Sequence, residues 1–160
     1  MIEVVRVRYD APAHAAALLD LLDHYARDPA GGGEPLSDFA RDNLVASLAA
    51  RPFIFSVLAF DGDTAVGLIN AIEGFSTFAC RPLVNVHDVV VAASHRGKGI
   101  AARLFAEVEA IARERGACKL TLEVLDGNVS ARALYRRLGF SAYQLAPAMG
   151  QAQFLHKWLD

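Results

Sequence analysis

Residues 83–104 read LVNVHDVVVAASHRGKGIAARL, an apolar run that passes through a basic, glycine-containing turn into a helix-forming stretch. The apolar run, Leu83 to Ala92, predicts a strand covered on both faces, as in a parallel sheet. The turn precedes a predicted helix from Gly99 to about Gly116, whose first backbone amides lack intrahelical partners and carry partial positive charge. The stretch therefore predicts a phosphate-binding site between a strand and a helix.

The chain after this stretch continues with alternating strand and helix patterns. A strand over Lys119–Leu125, a helix over Asn128–Leu138 and a strand over Phe140–Leu145 are expected, and the terminal QAQFLHKWL predicts one more strand. A strand, helix and strand in this order require a right-handed parallel crossover.

The first half predicts an antiparallel sheet with two helices. FIFSVLAF and TAVGLINAIEGF flank Asp61-Gly62-Asp63, a strong hairpin signal. Before them, Ile2–Tyr9 alternates like a half-buried strand, and Asp10 is the expected cap of a helix with the stripe Leu18, Leu21, Leu22 and Tyr25. The glycine-rich stretch Asp28–Pro35 predicts a loop, and Ser37 the cap of a second helix reaching about Ala50.

Composition narrows the class of protein. The 160 residues are 54% hydrophobic, enough to fill the core of one domain over residues 1–160. The net charge of −2 gives no general attraction to nucleic acid or an anionic membrane. Cys80 and Cys118 lack metal-ligand spacing and are expected to be reduced, buried thiols. No signal peptide or membrane span is evident, so a cytoplasmic location is expected.

Two known phosphate-binding motifs compete for the turn. The nucleotide-triphosphate string G-x-x-x-x-G-K-[ST] does not occur in the chain. GKGIAA matches the dinucleotide fingerprint G-x-G-x-x-A, but Ser94, His95 and Arg96 separate its first glycine from the strand, and an antiparallel hairpin comes first. Dinucleotide binding is therefore the weaker alternative.

A third motif resembles the turn more closely. Residues 96–101, RGKGIA, resemble the R/Q-x-x-G-x-G/A loop of the GNAT superfamily of N-acetyltransferases, and NVSARALYRRLGF, residues 128–140, resembles that family's second conserved block. The resemblance implies an α/β GNAT fold: a mixed central sheet with an antiparallel N-terminal half, a parallel strand pair splayed around coenzyme A, and helices on both faces. It also implies acetyl transfer from acetyl-coenzyme A to a primary amine by direct attack in a ternary complex, without a metal. A non-catalytic acyl-coenzyme A binding module on the same fold is the alternative.

The resemblance also implies which residues hold the cofactor. Tyr135 would be the general acid that protonates the coenzyme A thiolate, because thiol and phenol reference pKa values, about 8.5 and 10, are close. Asn128 would combine helix capping with a cofactor contact. The strand backbone after Asp88 would pair with the pantetheine arm. The implied cofactor-binding residues are Val89, Val90, Val91, Arg96, Gly97, Lys98, Gly99, Ile100, Ala101, Asn128 and Tyr135.

The group that takes the proton of the amine is left open among three residues. His87 and Asp88 interrupt an apolar strand, where polar groups need a reason, and Glu123 follows on the neighbouring strand. Residues 75–88 look most like the diamine acetyltransferase branch, in which a Glu–Asp pair stands at positions 87–88. Because His87 replaces that Glu, a polyamine acceptor is in doubt. The catalytic candidates are Tyr135, His87, Asp88 and Glu123.

The acceptor is expected to be a small-molecule amine, although a peptide N-terminus stays open. The loop with Gly31–Gly33, the Phe75–Phe78 segment and the C-terminal strands would form its pocket, with Glu34 facing an ammonium group and the aromatic rings offering cation–π contacts. Phe154 and Trp158 on the last predicted strand would suit a homodimer contact. The substrate-binding candidates are Glu34, Phe75, Phe78 and His87.

Overall fold

The computed structural model describes residues 1–159, so the last residue of the predicted domain lies outside the described part. The described residues form two compact units, residues 1–122 and residues 123–159. The strands are β1 (Ile2–Arg6), β2 (Ile54–Asp61), β3 (Thr64–Ser76), β4 (Arg81–Val91) and β5 (Leu120–Leu122). The helices are α1 (Pro12–Arg27), α2 (Asp38–Ala49), α3 (Ile100–Glu114) and α4 (Val129–Arg137), with 3₁₀ turns at Pro29–Gly31, Ala93–His95 and Pro147–Met149.

The first unit is built on one mixed sheet in the order β1-β2-β3-β4-β5. Strands β1 to β4 are antiparallel neighbours, and β5 pairs with β4 in parallel after the α3 crossover. The predicted mixed sheet with an antiparallel N-terminal half is therefore confirmed.

Helices cover both faces of this sheet. Leu18 and Leu21 of α1 are buried in one cluster with Leu58 of β2 and Leu68 of β3, which confirms the predicted helical stripe. On the opposite face α3 approaches β3 so closely that a Cβ added to Gly67 would lie 2.9 Å from Leu104 Cδ1. This face of α3 contributes the fully or nearly fully buried Ile100, Leu104, Phe105 and Val108.

The two predicted caps differ in outcome. Ser37 Oγ accepts a hydrogen bond from Ala40 N at 3.1 Å, so the predicted cap of α2 is confirmed. The Asp10 cap is wrong: Pro12 takes the first helical position, residue 11 is the cap, and Asp10 pairs with Arg8 at 3.3 Å.

Several predicted strand limits are also corrected. The first strand ends at Arg6 rather than Tyr9, and β5 covers only three residues. Cys80 is exposed, not buried, and Cys118 is partly buried; both are free thiols. Cys80 lies in the turn between β3 and β4, where no apolar layer covers it.

The second unit contains α4 but neither of the two strands predicted after it, within the described residues. The segment 140–159 is irregular apart from the turn at Pro147–Met149, although Ala152 N donates to Tyr143 O at 3.2 Å. Alternating apolar residues form a strand only when a neighbouring strand satisfies their backbone groups. Without such pairing, Phe154 and Trp158 are 75% and 79% exposed.

Candidate functional site

A β-bulge at His87 divides β4. Asp88 pairs with Asn70 and Val86 pairs with Ala71, so His87 has no opposite residue on β3. A bulge adds one residue to one strand and shifts its side-chain alternation. Pairing of β4 with β5 stops at the same place, with Val86 opposite Leu122. The bulge therefore marks where the two parallel strands separate.

Beyond the bulge, alternate residues of β4 turn their backbone groups away from β3. Ala92 N donates to Val66 O on β3 at 2.9 Å, and antiparallel alternation then directs Val90 to β3 as well. Val89 and Val91 point their amides and carbonyls to the other side, where no described strand pairs with them. Of the three valines predicted to pair with pantetheine, Val89 and Val91 have the suitable orientation.

The turn after β4 has the geometry of an anion-binding loop. Gly97 and Gly99 have φ of 76° and 75°, and a Cβ on either would find no atom within 4 Å. The left-handed backbone, not space, therefore requires glycine here. Gly99 is the residue before α3, and Ile100 is buried, which fixes the helix start beneath the exposed turn. This arrangement fits a pyrophosphate at the amides of residues 97–101.

Arg96 connects the turn to the loop that follows α1. Its Nε donates to Val91 O at 3.2 Å, and its Nη2 lies 3.6 Å from a carboxylate oxygen of Asp28. Asp28 itself caps the 3₁₀ turn by accepting from Ala30 N at 3.0 Å. The predicted phosphate ligand Arg96 therefore also holds the glycine-rich loop.

Asp23 organises the same loop and was not predicted from the sequence. Its carboxylate is buried and accepts from Leu36 N at 2.9 Å, from Arg27 Nε at 2.9 Å and from Arg41 Nη1 at 3.0 Å. The hydrogen bonds from Arg27 and Leu36 lower the pKa of Asp23. Only the Asp–Arg spacing of four residues on α1 could have indicated part of this arrangement.

The two polar residues of the bulge differ in their surroundings. His87 is exposed, whereas Asp88 is partly buried and accepts from Asn70 Nδ2 at 3.0 Å. Asn70 lies on the face of the sheet that α1 covers. Tyr25 of α1 lies on the same side, and its pKa is raised first by burial and then by the charge of Asp88. Asp88 is thus a fixed carboxylate on the α1 face of the sheet.

The predicted residues of the second unit lie on or before α4. Asn128 Oδ1 accepts from Ala131 N at 3.2 Å, which confirms that it caps the helix. The ring of Tyr135 meets Phe140 edge to face, with centroids 5.9 Å apart. Glu123 is exposed just after β5. The cofactor contact of Asn128 and the catalytic roles of Tyr135 and Glu123 stay predictions.

The predicted acceptor-binding residues are not all at one end of the sheet. Glu34 is exposed in the loop after α1. Asp28 of this loop pairs with Arg96 of the turn after β4. Phe75 and Phe78 are 59% and 93% exposed at the β3–β4 hairpin, where Phe75 pairs with Pro82. Five residues of strand, about 16 Å, separate Pro82 from His87. The structure therefore places these rings away from the turn.

Comparison with known proteins agrees with this geometry. Residues 15–140 match the Acetyltransferase (GNAT) family. The chain is 40% identical over 90 residues to streptothricin acetyltransferase of Streptomyces lavendulae, a match covering 54% of this chain and 48% of that protein. It is 27% identical over 126 residues to glucosamine 6-phosphate N-acetyltransferase of Trypanosoma brucei brucei, covering 79% and 82% of the two chains. The chain thus matches about half the length of the streptothricin enzyme.

Solved structures share the fold at low sequence identity. The crystal structure of a probable acetyltransferase superposes with a TM-score of 0.82 at 20% identity over 99% of both chains. An aminoglycoside acetyltransferase from an uncultured soil metagenomic sample, in complex with sisomicin, superposes with a TM-score of 0.78 at 14% identity, covering 99% of this chain and 97% of that one. No helix in residues 1–159 is long and apolar enough to cross a membrane. With its family match, its mixed sheet and its glycine turn before α3, the chain belongs to the acetyltransferase (GNAT) family.

Proposed function

We propose that this protein is an N-acetyltransferase that moves the acetyl group of acetyl-coenzyme A to a primary amine of a small molecule. The observation that carries the proposal is the continuity of two binding elements: the outward backbone of Val89 and Val91 leads directly into the left-handed glycine turn and the start of α3. A pantetheine arm and a pyrophosphate need these two elements in this order.

Each element has a defined role in holding the co-substrate. The amides of residues 97–101 bind the pyrophosphate, and Arg96 and Lys98 supply positive charge beside it. The amide and carbonyl groups of Val89 and Val91 pair with the pantetheine amides. One amide of this strand also polarises the thioester carbonyl.

The reaction follows from the co-substrate and three side-chain roles. The neutral amine nitrogen attacks the thioester carbon, a C–N bond forms, and the C–S bond breaks as the electron pair leaves with the thiolate. Tyr135 gives its phenolic proton to that thiolate. The proton lost by the amine goes, directly or through water, to Asp88, with His87 and Glu123 as the other candidates.

The acceptor is proposed to be a cationic amine of low molecular weight. Asp88 offers a partly buried carboxylate at the bulge that Asn70 holds by a hydrogen bond, and Glu34 adds an exposed carboxylate in the loop after α1. The relatives named for streptothricin, for thialysine and for L-methionine sulfoximine all act on small molecules. They support a small acceptor over a protein, and they leave polyamines, amino acids and antibiotic amines as the classes to test.

Three broader expectations belong to the same proposal. We propose a single functional domain over residues 1–160, a cytoplasmic location and a homodimer that uses the exposed Phe154 and Trp158. Sedimentation of wild type and of a Trp158→Ser variant tests the dimer, which the variant should weaken.

Calorimetry and a thiol-release assay together separate this function from a non-catalytic acyl-coenzyme A binding module. The enzyme is expected to bind acetyl-coenzyme A and to release thiol when one of the candidate amines is added. Binding without release on any amine supports the module. Binding of NAD in place of coenzyme A supports a dinucleotide site.

A further inference from the structure

Four polar side chains form a continuous hydrogen-bonded chain through the apolar sheet. The Tyr9 and Ser56 hydroxyls are 2.9 Å apart, Ser56 Oγ lies 2.6 Å from Asn70 Oδ1, and Asn70 Nδ2 lies 3.0 Å from Asp88 Oδ2. Ser56 and Asn70 are buried, with 2% and 6% of their surface exposed. Buried polar groups in a strand interior destabilise a protein unless they are hydrogen-bonded. These four side chains therefore stabilise the sheet less than apolar packing would.

The donors and acceptors of this hydrogen-bonded chain all run in one direction, and the Asp88 carboxylate determines it. A carboxylate oxygen accepts only, so Asn70 must turn its amide nitrogen toward Asp88 and its oxygen toward Ser56. The Ser56 hydroxyl then donates its single proton to the Asn70 amide oxygen. Tyr9 must therefore donate to Ser56, which it can do because burial raises the pKa of its phenol and keeps it protonated.

The hydrogen-bonded chain ends at Asp88, beside the β-bulge of β4. Asn70 is the residue opposite Asp88 at the register shift, one position from the unpaired His87. Asp88 stays in register opposite Asn70 beside the bulge, so the two side chains meet directly on the same face of the sheet. The Asn70 amide donates to Asp88 Oδ2, and the carboxylate has further lone pairs with which it can accept from a substrate.

We propose that Asn70 is a positioning residue for acetyl transfer: backed by Ser56 and Tyr9, it fixes the Asp88 carboxylate at the β4 bulge in the orientation that receives the cationic amine. This inference rests on the proposed acetyltransferase function and on Asp88 as the residue that meets the amine. Tyr25 and Asp28 also face this region, from α1 and the loop after it, and they are unchanged in the variants below.

A double-mutant cycle between Asn70→Ala and Asp88→Asn tests the proposal. Steady-state acetylation of the best amine is measured for wild type, both single variants and the double variant, with urea unfolding of each. Asn70→Ala is expected to lower kcat/KM for the amine about tenfold, the range for a lost hydrogen bond to a charged group, and to leave the KM for acetyl-coenzyme A unchanged. In the Asp88→Asn background the same change should cost less than about twofold, because its target is already removed.

Ser56→Ala provides a milder variant if Asn70→Ala does not fold, and Ser37→Ala is its control. Each change removes one hydrogen-bonded hydroxyl, Ser56 in the buried sheet and Ser37 at the exposed start of α2, and only Ser56 belongs to the hydrogen-bonded chain to Asp88. Both are expected to lower the urea midpoint, and only Ser56→Ala should lower kcat/KM for the amine. Equal losses in the two serine variants would show that the chain acts through stability alone.

The outcomes separate this inference from the function on which it rests. A loss from Asn70→Ala that is the same in both backgrounds contradicts positioning through Asp88 while leaving the acetyltransferase function intact. Full activity of Asp88→Asn on every amine has the same meaning. A wild type that acetylates no amine overturns both.

Discussion

Arg96 Nε donates to the carbonyl oxygen of Val91 at 3.2 Å, so a residue of the phosphate turn is bonded to the strand that is proposed to hold pantetheine. The same guanidinium lies 3.6 Å from the Asp28 carboxylate. A phosphate bound at the turn would compete with both partners for this cation, so we expect binding of the co-substrate to affect the loop after α1 through this one side chain.

Replacement of Arg96 by alanine is expected to weaken acetyl-coenzyme A binding about tenfold, the effect of one charge-assisted hydrogen bond. The loss should shrink as salt is raised, since salt screens the attraction of an exposed cation for phosphate. Calorimetric titration at low and high ionic strength measures both effects. Equal affinity of wild type and Arg96→Ala at low salt would remove Arg96 from the phosphate site.

Gly99→Glu should abolish binding of acetyl-coenzyme A in a folded protein. A side chain at φ 75° is strained by about 1 to 2 kcal/mol, and the carboxylate repels the pyrophosphate at the start of α3. Gly116→Glu is the matched control, because Gly116 has φ 74° and equally open space, but lies at the other end of α3. Both variants should unfold more easily, and only Gly99→Glu should lose binding in the titration. Similar affinities for the two would show that the turn does not bind phosphate.

Tyr135→Phe should lower kcat about a hundredfold, the lower range for loss of a general acid. The dissociation constant of acetyl-coenzyme A should stay within about twofold, because phenylalanine keeps the edge-to-face contact with Phe140. Thiol release under saturating substrates, with calorimetry on the same preparation, gives both numbers. A kcat near that of wild type would assign the proton transfer to another group.

Asp23→Asn should lower the urea midpoint at neutral pH, since the loop after α1 loses the carboxylate that accepts from Leu36 N and two arginines. The pKa of Asp23 is lowered in the folded protein, so its contribution is present above the unfolded value of about 3.9 and is lost as the pH falls through the folded pKa. The difference between variant and wild type should therefore be largest near pH 7 and small at pH 2. The control is Asp20→Asn, an exposed position on the same helix, which should match wild type at both pH values.

Residues 83–104 show what sequence patterns could and could not predict. The apolar run, the glycines of the turn and the stripe on α3 are local signals, and the strand, turn and helix formed where they indicated. The bulge at His87 has no such signal, because it depends on the register against β3. Asn70 and Ser56 were visible as polar residues in apolar strands, but their link to Asp88 needs the pairing of three strands.

In residues 140–159 the sequence pattern predicted strands that do not form. Residues 140–145 and 151–159 alternate like strands, yet neither segment forms one in the described part of the chain. A strand requires a partner whose backbone groups lie within hydrogen-bond distance, and a one-dimensional pattern does not supply it. The Asp10 cap is wrong for a different reason, since the helix starts at Pro12 and the cap is therefore residue 11.

Mass spectrometry of the acceptor after incubation with acetyl-coenzyme A shows whether the acetyl group reaches an amine. We predict that wild type converts at least one small cationic amine to its acetylated form, with one thiol released for each acetyl group transferred. Thiol release without an acetylated amine, or binding of acetyl-coenzyme A with no product from any amine class, would contradict acetyl transfer to an amine.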